Sequence, residues 1–151
     1  MRIYPTIILV ALVGQIHHAF GADGWEFARE WVGNYPSSRV GDYRAGLLAQ
    51  PAIKATLKKI LPRTESSTLA ALTIESKVTE TDGLIVISKC RPHNCPSDMA
   101  TVIIDVKKSR LWVGLFTREA ARVSTRWYGE DLDYSTLPED IRREFLSRHG
   151  D

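Results

Sequence analysis

The sequence predicts an α+β domain: an antiparallel five-stranded meander sheet flanked by short helices, with a disulfide-closed loop between two central strands. Three observations carry this expectation. Runs rich in β-branched and aromatic residues follow one another closely from residue 72 to residue 128, helical signals lie on both sides of them, and the only two cysteines fall between two of the runs. Short links favour antiparallel neighbours, because a parallel pair needs a crossover of a dozen residues or more.

The chain opens MRIYPTIILVALVGQIHHAFGAD. Arg2, an apolar run over residues 7–13 and small residues around Ala19 and Gly21 stand in the order of a secretory signal peptide. The apolar run is too short to cross a bilayer, which takes about 20 residues. Residues 1–21 are therefore expected to be removed with the cut after Gly21, leaving residues 22–151 as a single domain in the periplasm with no membrane association. An uncleaved N-terminal anchor stays open as the alternative. No cysteine lies near the cut, which argues against a lipoprotein.

Cleavage takes Arg2 and no acid from 20 basic and 18 acidic residues, so the mature chain sits near +1. Lys54, Lys58, Lys59 and the Lys107-Lys108 pair are answered by Glu130-Asp131, Asp133, Glu139-Asp140 and Glu144. Such a mixed surface gives no footprint for nucleic acid or for an anionic membrane. A domain of this size can bury an adequate core by itself.

In chain order, Asp23-x-x-Glu26 has the form of a capping box ahead of Phe27 and Trp31, and residues 34–38 read as a loop. Pro51 opens a helix with Ile53, Leu57, Ile60 and Leu61 on one face. Residues 72–81 form the first expected strand and residues 84–88 the second. Asp82-Gly83 between them predicts a two-residue type I′ turn, which needs positive φ at both centres. Residues 101–106, 111–116 and 122–128 supply the remaining strands, and Thr136-x-x-Glu139 repeats the capping pattern before Ile141 and Phe145.

Cys90 and Cys95 enclose Arg91, Pro92, His93 and Asn94. In an oxidising compartment an isolated cysteine pair points to a disulfide, here closing a small loop that joins two neighbouring strands. Three zinc ligands at Cys90, His93 and Cys95 are the metal alternative, which needs a fourth from His149 or a carboxylate. No metal or other cofactor is expected. A catalytic histidine would need an orienting partner such as Asp98 or Asp105. No motif of that kind is present, and the chain is not expected to be an enzyme.

The segment over residues 78–116, with its strand, the loop Cys90-Arg91-Pro92-His93-Asn94-Cys95, the next strand and Gly114-Leu115-Phe116, resembles the Ivy family, the inhibitors of vertebrate (c-type) lysozyme. The resemblance implies that the loop protrudes from the sheet, that the disulfide stiffens it, and that its histidine enters the lysozyme cleft to meet the two catalytic carboxylates. His93 is the implied position, Cys90 to Cys95 the implied lysozyme-binding loop, and c-type lysozyme the implied protein partner. The usual family loop reads Cys-Lys-Pro-His-Asp-Cys, so Arg91 and Asn94 are departures: arginine keeps the charge with other donor geometry, and asparagine removes an anionic acceptor. Two further readings stay open. One is a homodimer. The other is a periplasmic binding or envelope module that keeps the fold and uses another face, around Trp25, Trp31 and Tyr35.

Overall fold

The computed structural model of the chain describes residues 24–95, 97–120, 122–129 and 137–149. The expected leader, residues 1–21, lies outside them, as do Asp23 and Thr136, the cap residues expected for the first and last helices. The first helical segment, Glu26–Trp31, is a 3-10 helix with Trp25 at its N-cap and no side-chain cap. Tertiary bonds hold it instead. The Trp25 amide donates to the Val106 carbonyl at 2.8 Å, and the Trp31 indole donates to the Ser38 carbonyl at 2.9 Å. Both tryptophans are buried, and of the three aromatics considered as an alternative binding face only Tyr35 is exposed. Trp25 and Trp31 therefore offer no binding surface.

Helix α1 (Pro51–Ile60) begins as expected with proline in its first turn. It buries Ile53 and Leu57, and Leu61 follows into the core. Pro62 ends it by forcing the residue before it out of the helical region, and Leu61 is accordingly extended at φ −94, ψ 128.

Helix α2 (Arg63–Ala71) was not expected, since Thr64, Ser66, Ser67 and Thr68 favour turns over helix interiors. Ser67 and Thr68 bond back to the carbonyls four residues earlier at 3.1 Å, so two hydroxyls do not compete with the helix. Packing and one polar cluster complete the explanation. Leu69 is buried, and the Glu65 carboxylate takes Arg126 at 2.7 and 3.3 Å and the Tyr128 hydroxyl at 3.2 Å. The bond to Glu65 raises the Arg126 guanidinium above its ordinary range, while burial and then Glu65 raise the Tyr128 phenol.

The sheet runs in the order β1 (Ile74–Glu75), β3 (Leu84–Cys90), β4 (Asp98–Asp105), β5 (Arg110–Glu119) and β6 (Arg122–Tyr128), all antiparallel. The expected strand over residues 72–81 is two short ones, β1 (Ile74–Glu75) and β2 (Thr79–Thr81), which pair in turn with β3 (Leu84–Cys90). From Glu75↔Lys89 to Thr79↔Val86 the first chain advances four residues and its partner three, which is a bulge. Val78 causes it. Its backbone leaves β3 to bond Asn34 and Gly33 at 2.8 and 2.9 Å, bridging Val32 in parallel while its side chain is buried. Beyond it, Asp82 and Gly83 have φ of 51 and 82, as the type I′ turn requires.

Strands β4 (Asp98–Asp105), β5 (Arg110–Glu119) and β6 (Arg122–Tyr128) complete the meander. Side chains alternate between two cores. Ile85, Ile87, Val102, Ile104, Val113 and Leu115 face α1, α2 and the N-terminal segment. Leu84, Ile103 and Trp112 face Leu137 and α3 (Glu139–His149), through Ile141 and Phe145. With both faces covered, the central strands read as continuous apolar runs.

Gly114 shows how tightly the second face is closed. A Cβ there would lie 2.6 Å from the Trp127 ring and 2.8 Å from the Phe145 ring, which meet edge to face at 4.5 Å. Gly114→Ala is expected to destabilise the fold by about 1 to 3 kcal/mol through overpacking. Urea unfolding measures it, and an unchanged midpoint would mean that α3 yields freely.

Candidate functional site

The connection from β3 to β4 is rooted in the sheet on every side. Cys90 pairs with Ile74 and Met99, so both edges of its strand are occupied at the point where the chain leaves the sheet. Lys89, just before it, forms a 3.3 Å ion pair with Glu75, both side chains being nearly buried. On the far side of the loop the Arg118 amide donates to the Ser97 carbonyl at 2.7 Å.

Within this frame the disulfide Cys90–Cys95 closes the loop, with the two Cα atoms 5.5 Å apart. Three backbone bonds organise what it encloses. Arg91 donates to Asp98 at 2.9 Å, Asn94 donates to Arg91 at 3.0 Å, and Asp98 donates to Asn94 at 3.0 Å. Arg91 to Asn94 is thus a hydrogen-bonded β-turn with Pro92 at its second position and His93, at φ 63, at its third. Proline followed by a residue of positive φ is the pattern of a type II turn.

Glycine is the residue such a turn normally takes at its third position. A side chain there costs roughly 1 to 2 kcal/mol, although histidine tolerates this region better than most residues. The closure around His93 holds it in a conformation it would not choose. Strain of this kind concentrates at binding and switch sites.

His93, Asn94 and Cys95 are exposed, while Arg91 and Pro92 are half-buried. Among the described residues the His93 imidazole has no hydrogen-bond or ion-pair partner. Arg91 does have one: its Nε donates to the carboxylate of buried Asp98. This ion pair ties the first residue of the loop to the first residue of β4. Sequence reasoning considered Asp98 only as the orienting partner that a catalytic histidine would need, and missed this brace. The available signal was opposite charge on either side of the cysteine pair.

Asp105 serves neither role. It lies at the opposite end of β4, seven residues or roughly 23 Å along the strand, where its carboxylate accepts the Lys107 and Lys108 amides at 3.1 and 3.0 Å. With both sulfurs bonded to each other, neither is a thiolate for metal or nucleophilic attack. Among the described residues no three His, Cys, Asp or Glu side chains gather to hold a metal ion. The arrangement presents one imidazole, on a stiff support, to whatever docks against it.

Reduction should release the loop and leave the sheet. The short closed loop stabilises folding only at the low end of the roughly 2 to 4 kcal/mol typical of disulfides. In hydrogen exchange the amides of Asn94 and Asp98 are expected to lose protection on reduction while those of Val102 and Val113 keep it. Loss of protection throughout the sheet would show that the disulfide holds the fold and not only the loop.

The chain matches the family described as Inhibitor of vertebrate lysozyme (Ivy) over residues 52–149. The match extends well beyond the segment over residues 78–116 that carried the resemblance, taking in α1, α2 and α3. No curated protein and no solved structure matches the chain. Covering well over half of the 151 residues, and with the cysteine-closed loop between β3 and β4 inside it, the match shows that this chain belongs to the Ivy family, non-enzymatic protein inhibitors of lysozyme.

Proposed function

We propose that the protein inhibits c-type lysozyme by inserting the loop Cys90-Arg91-Pro92-His93-Asn94-Cys95 into the active-site cleft. One observation carries this reading above the others: His93 is exposed, has no partner among the described residues, and is held at positive φ by a turn that a disulfide closes. A retaining lysozyme works through two carboxyl groups about 5 to 5.5 Å apart, one of which must stay protonated as the acid. A protonated imidazole offers two donors on opposite sides of a small ring and can bond both groups. Placed there, His93 removes the acid's proton from use and fills the space of the sugar.

Preorganisation supplies the affinity. Pro92 fixes φ beside His93, and the disulfide removes freedom the loop would otherwise lose on binding. Arg91 contributes by holding the loop base through Asp98, which lysine could do with fewer donors. One loop fills one cleft, so the mechanism needs no second copy of the chain.

The place of action follows from the leader. Residues 1–21 would direct export, residues 22–151 would fold as one domain in the periplasm, and the disulfide would form there. No described helix is long and apolar enough to cross a membrane. An inhibitor in that compartment stands between peptidoglycan and an incoming lysozyme.

His93→Ala is expected to weaken binding by about 30-fold, the equivalent of roughly 2 kcal/mol for an interface hot spot, with only a small fall in melting temperature, alanine tolerating positive φ less well than histidine. His93→Gly should lose as much affinity yet fold about 1 kcal/mol more stably, because glycine accepts the turn conformation without strain. Calorimetry and thermal denaturation measure these effects. Equal inhibition by native protein and His93→Ala would end the mechanism.

A further inference from the structure

On the sheet face covered by α1 and α2 lies a groove of about 450 Å³ between those two helices. Leu57 and Leu61 of α1, Leu69 and Ala70 of α2, and Leu48 ahead of them line it. These residues close the core below yet leave an apolar trough above. Its size falls within the roughly 300 to 1,000 Å³ of small-molecule sites.

The charged residues around it are of one sign. Three lysines line the groove, Lys54, Lys58 and Lys89, and no acid does. Lys89 is balanced by Glu75 at 3.3 Å. Lys54 and Lys58 stand four residues apart, on one side of α1, both exposed and without an ion pair among the described residues. No acid among the described residues forms an ion pair with either lysine, and Glu130, Asp131 and Asp133, three of the acids expected to balance them, lie outside the described residues. Lys58 also complements the C-terminal end of the α1 dipole, but Lys54, in the first half of the helix, has no such role.

An apolar trough with two ammonium groups at its rim that pair with no acid among the described residues suits a single apolar chain that ends in an anion. We propose that this groove binds a fatty acid, with its chain along Leu57, Leu61 and Leu69 and its carboxylate at Lys54 and Lys58. Burial of the chain supplies affinity, up to about fourfold for each methylene removed from water. The lysines select the head group.

Sodium dodecanoate, held below its micelle concentration and titrated into the oxidised full domain, tests the proposal by amide NMR. Saturable shifts are expected in α1, α2 and Leu48, with affinity rising from octanoate to decanoate to dodecanoate. Dodecyltrimethylammonium, with the same tail and the opposite charge, should bind at least tenfold more weakly. The Lys54→Glu/Lys58→Glu protein should lose this preference while inhibiting lysozyme as the native protein does and melting only slightly lower, because an acid replaces Lys58 at the end of the α1 dipole. Surface positions make misfolding no explanation for the loss. Equal binding of the two amphiphiles, shifts spread over the sheet, or no saturable binding at all would each overturn the fatty-acid site, and none of them bears on the inhibitory loop.

Discussion

A covalent bond between Cys90 and Cys95 closes a turn in which Pro92 fixes one backbone angle and His93 accepts an unfavourable one. The proposed interaction surface depends on that closure. An open chain of the same sequence would spend binding energy on ordering six residues, and ordering costs roughly 1 to 2 kcal/mol for each backbone unit. In the closed turn much of that cost is met during folding. The strain at His93 is the counterpart: folding holds the ring where solution would not keep it.

The rest of the molecule makes that closure usable. Cys90 leaves from a strand paired on both edges, Asp98 begins the next strand already bonded to Arg91, and β5 fixes Ser97 from the side. Behind them the sheet is packed on both faces, by α1 and α2 through Leu57 and Leu69 and by α3 through Ile141 and Phe145. Rigidity at the loop is inherited from these two cores. A site on such a support holds its geometry better than one on a free loop.

Features governed by neighbours in sequence were legible, and those governed by distant contacts were not. Asp82-Gly83, Pro51 and the apolar strands announce themselves because a turn, a helix start or a buried strand is decided within a few residues. The break between β1 and β2 was hidden because Val78 is drawn away by Val32 and Asn34, more than forty positions earlier. Helix α2 was hidden for a similar reason, its serines and threonines being outweighed by Leu69 in the core and by Glu65 reaching Arg126 on β6. Trp25 and Trp31 looked available as a binding face until their backbone and indole bonds placed them inside. At the loop, the closure and the candidate ring could be read from six residues, whereas the Arg91–Asp98 brace needs the hairpin to bring its ends together.

Family membership establishes an inhibitor of lysozyme, and the loop geometry indicates how it would act: by occupying the catalytic cleft with one histidine. Occupancy of the cleft is the central claim, and competition with sugar tests it most directly. The rate of lysozyme on a soluble oligosaccharide, measured over a range of substrate and inhibitor concentrations, should show purely competitive inhibition. A non-hydrolysed chitooligosaccharide that fills the cleft should exclude the protein from the enzyme in a binding assay. Inhibition that leaves the Michaelis constant unchanged, together with a stable complex of lysozyme, saccharide and this protein, would contradict the account.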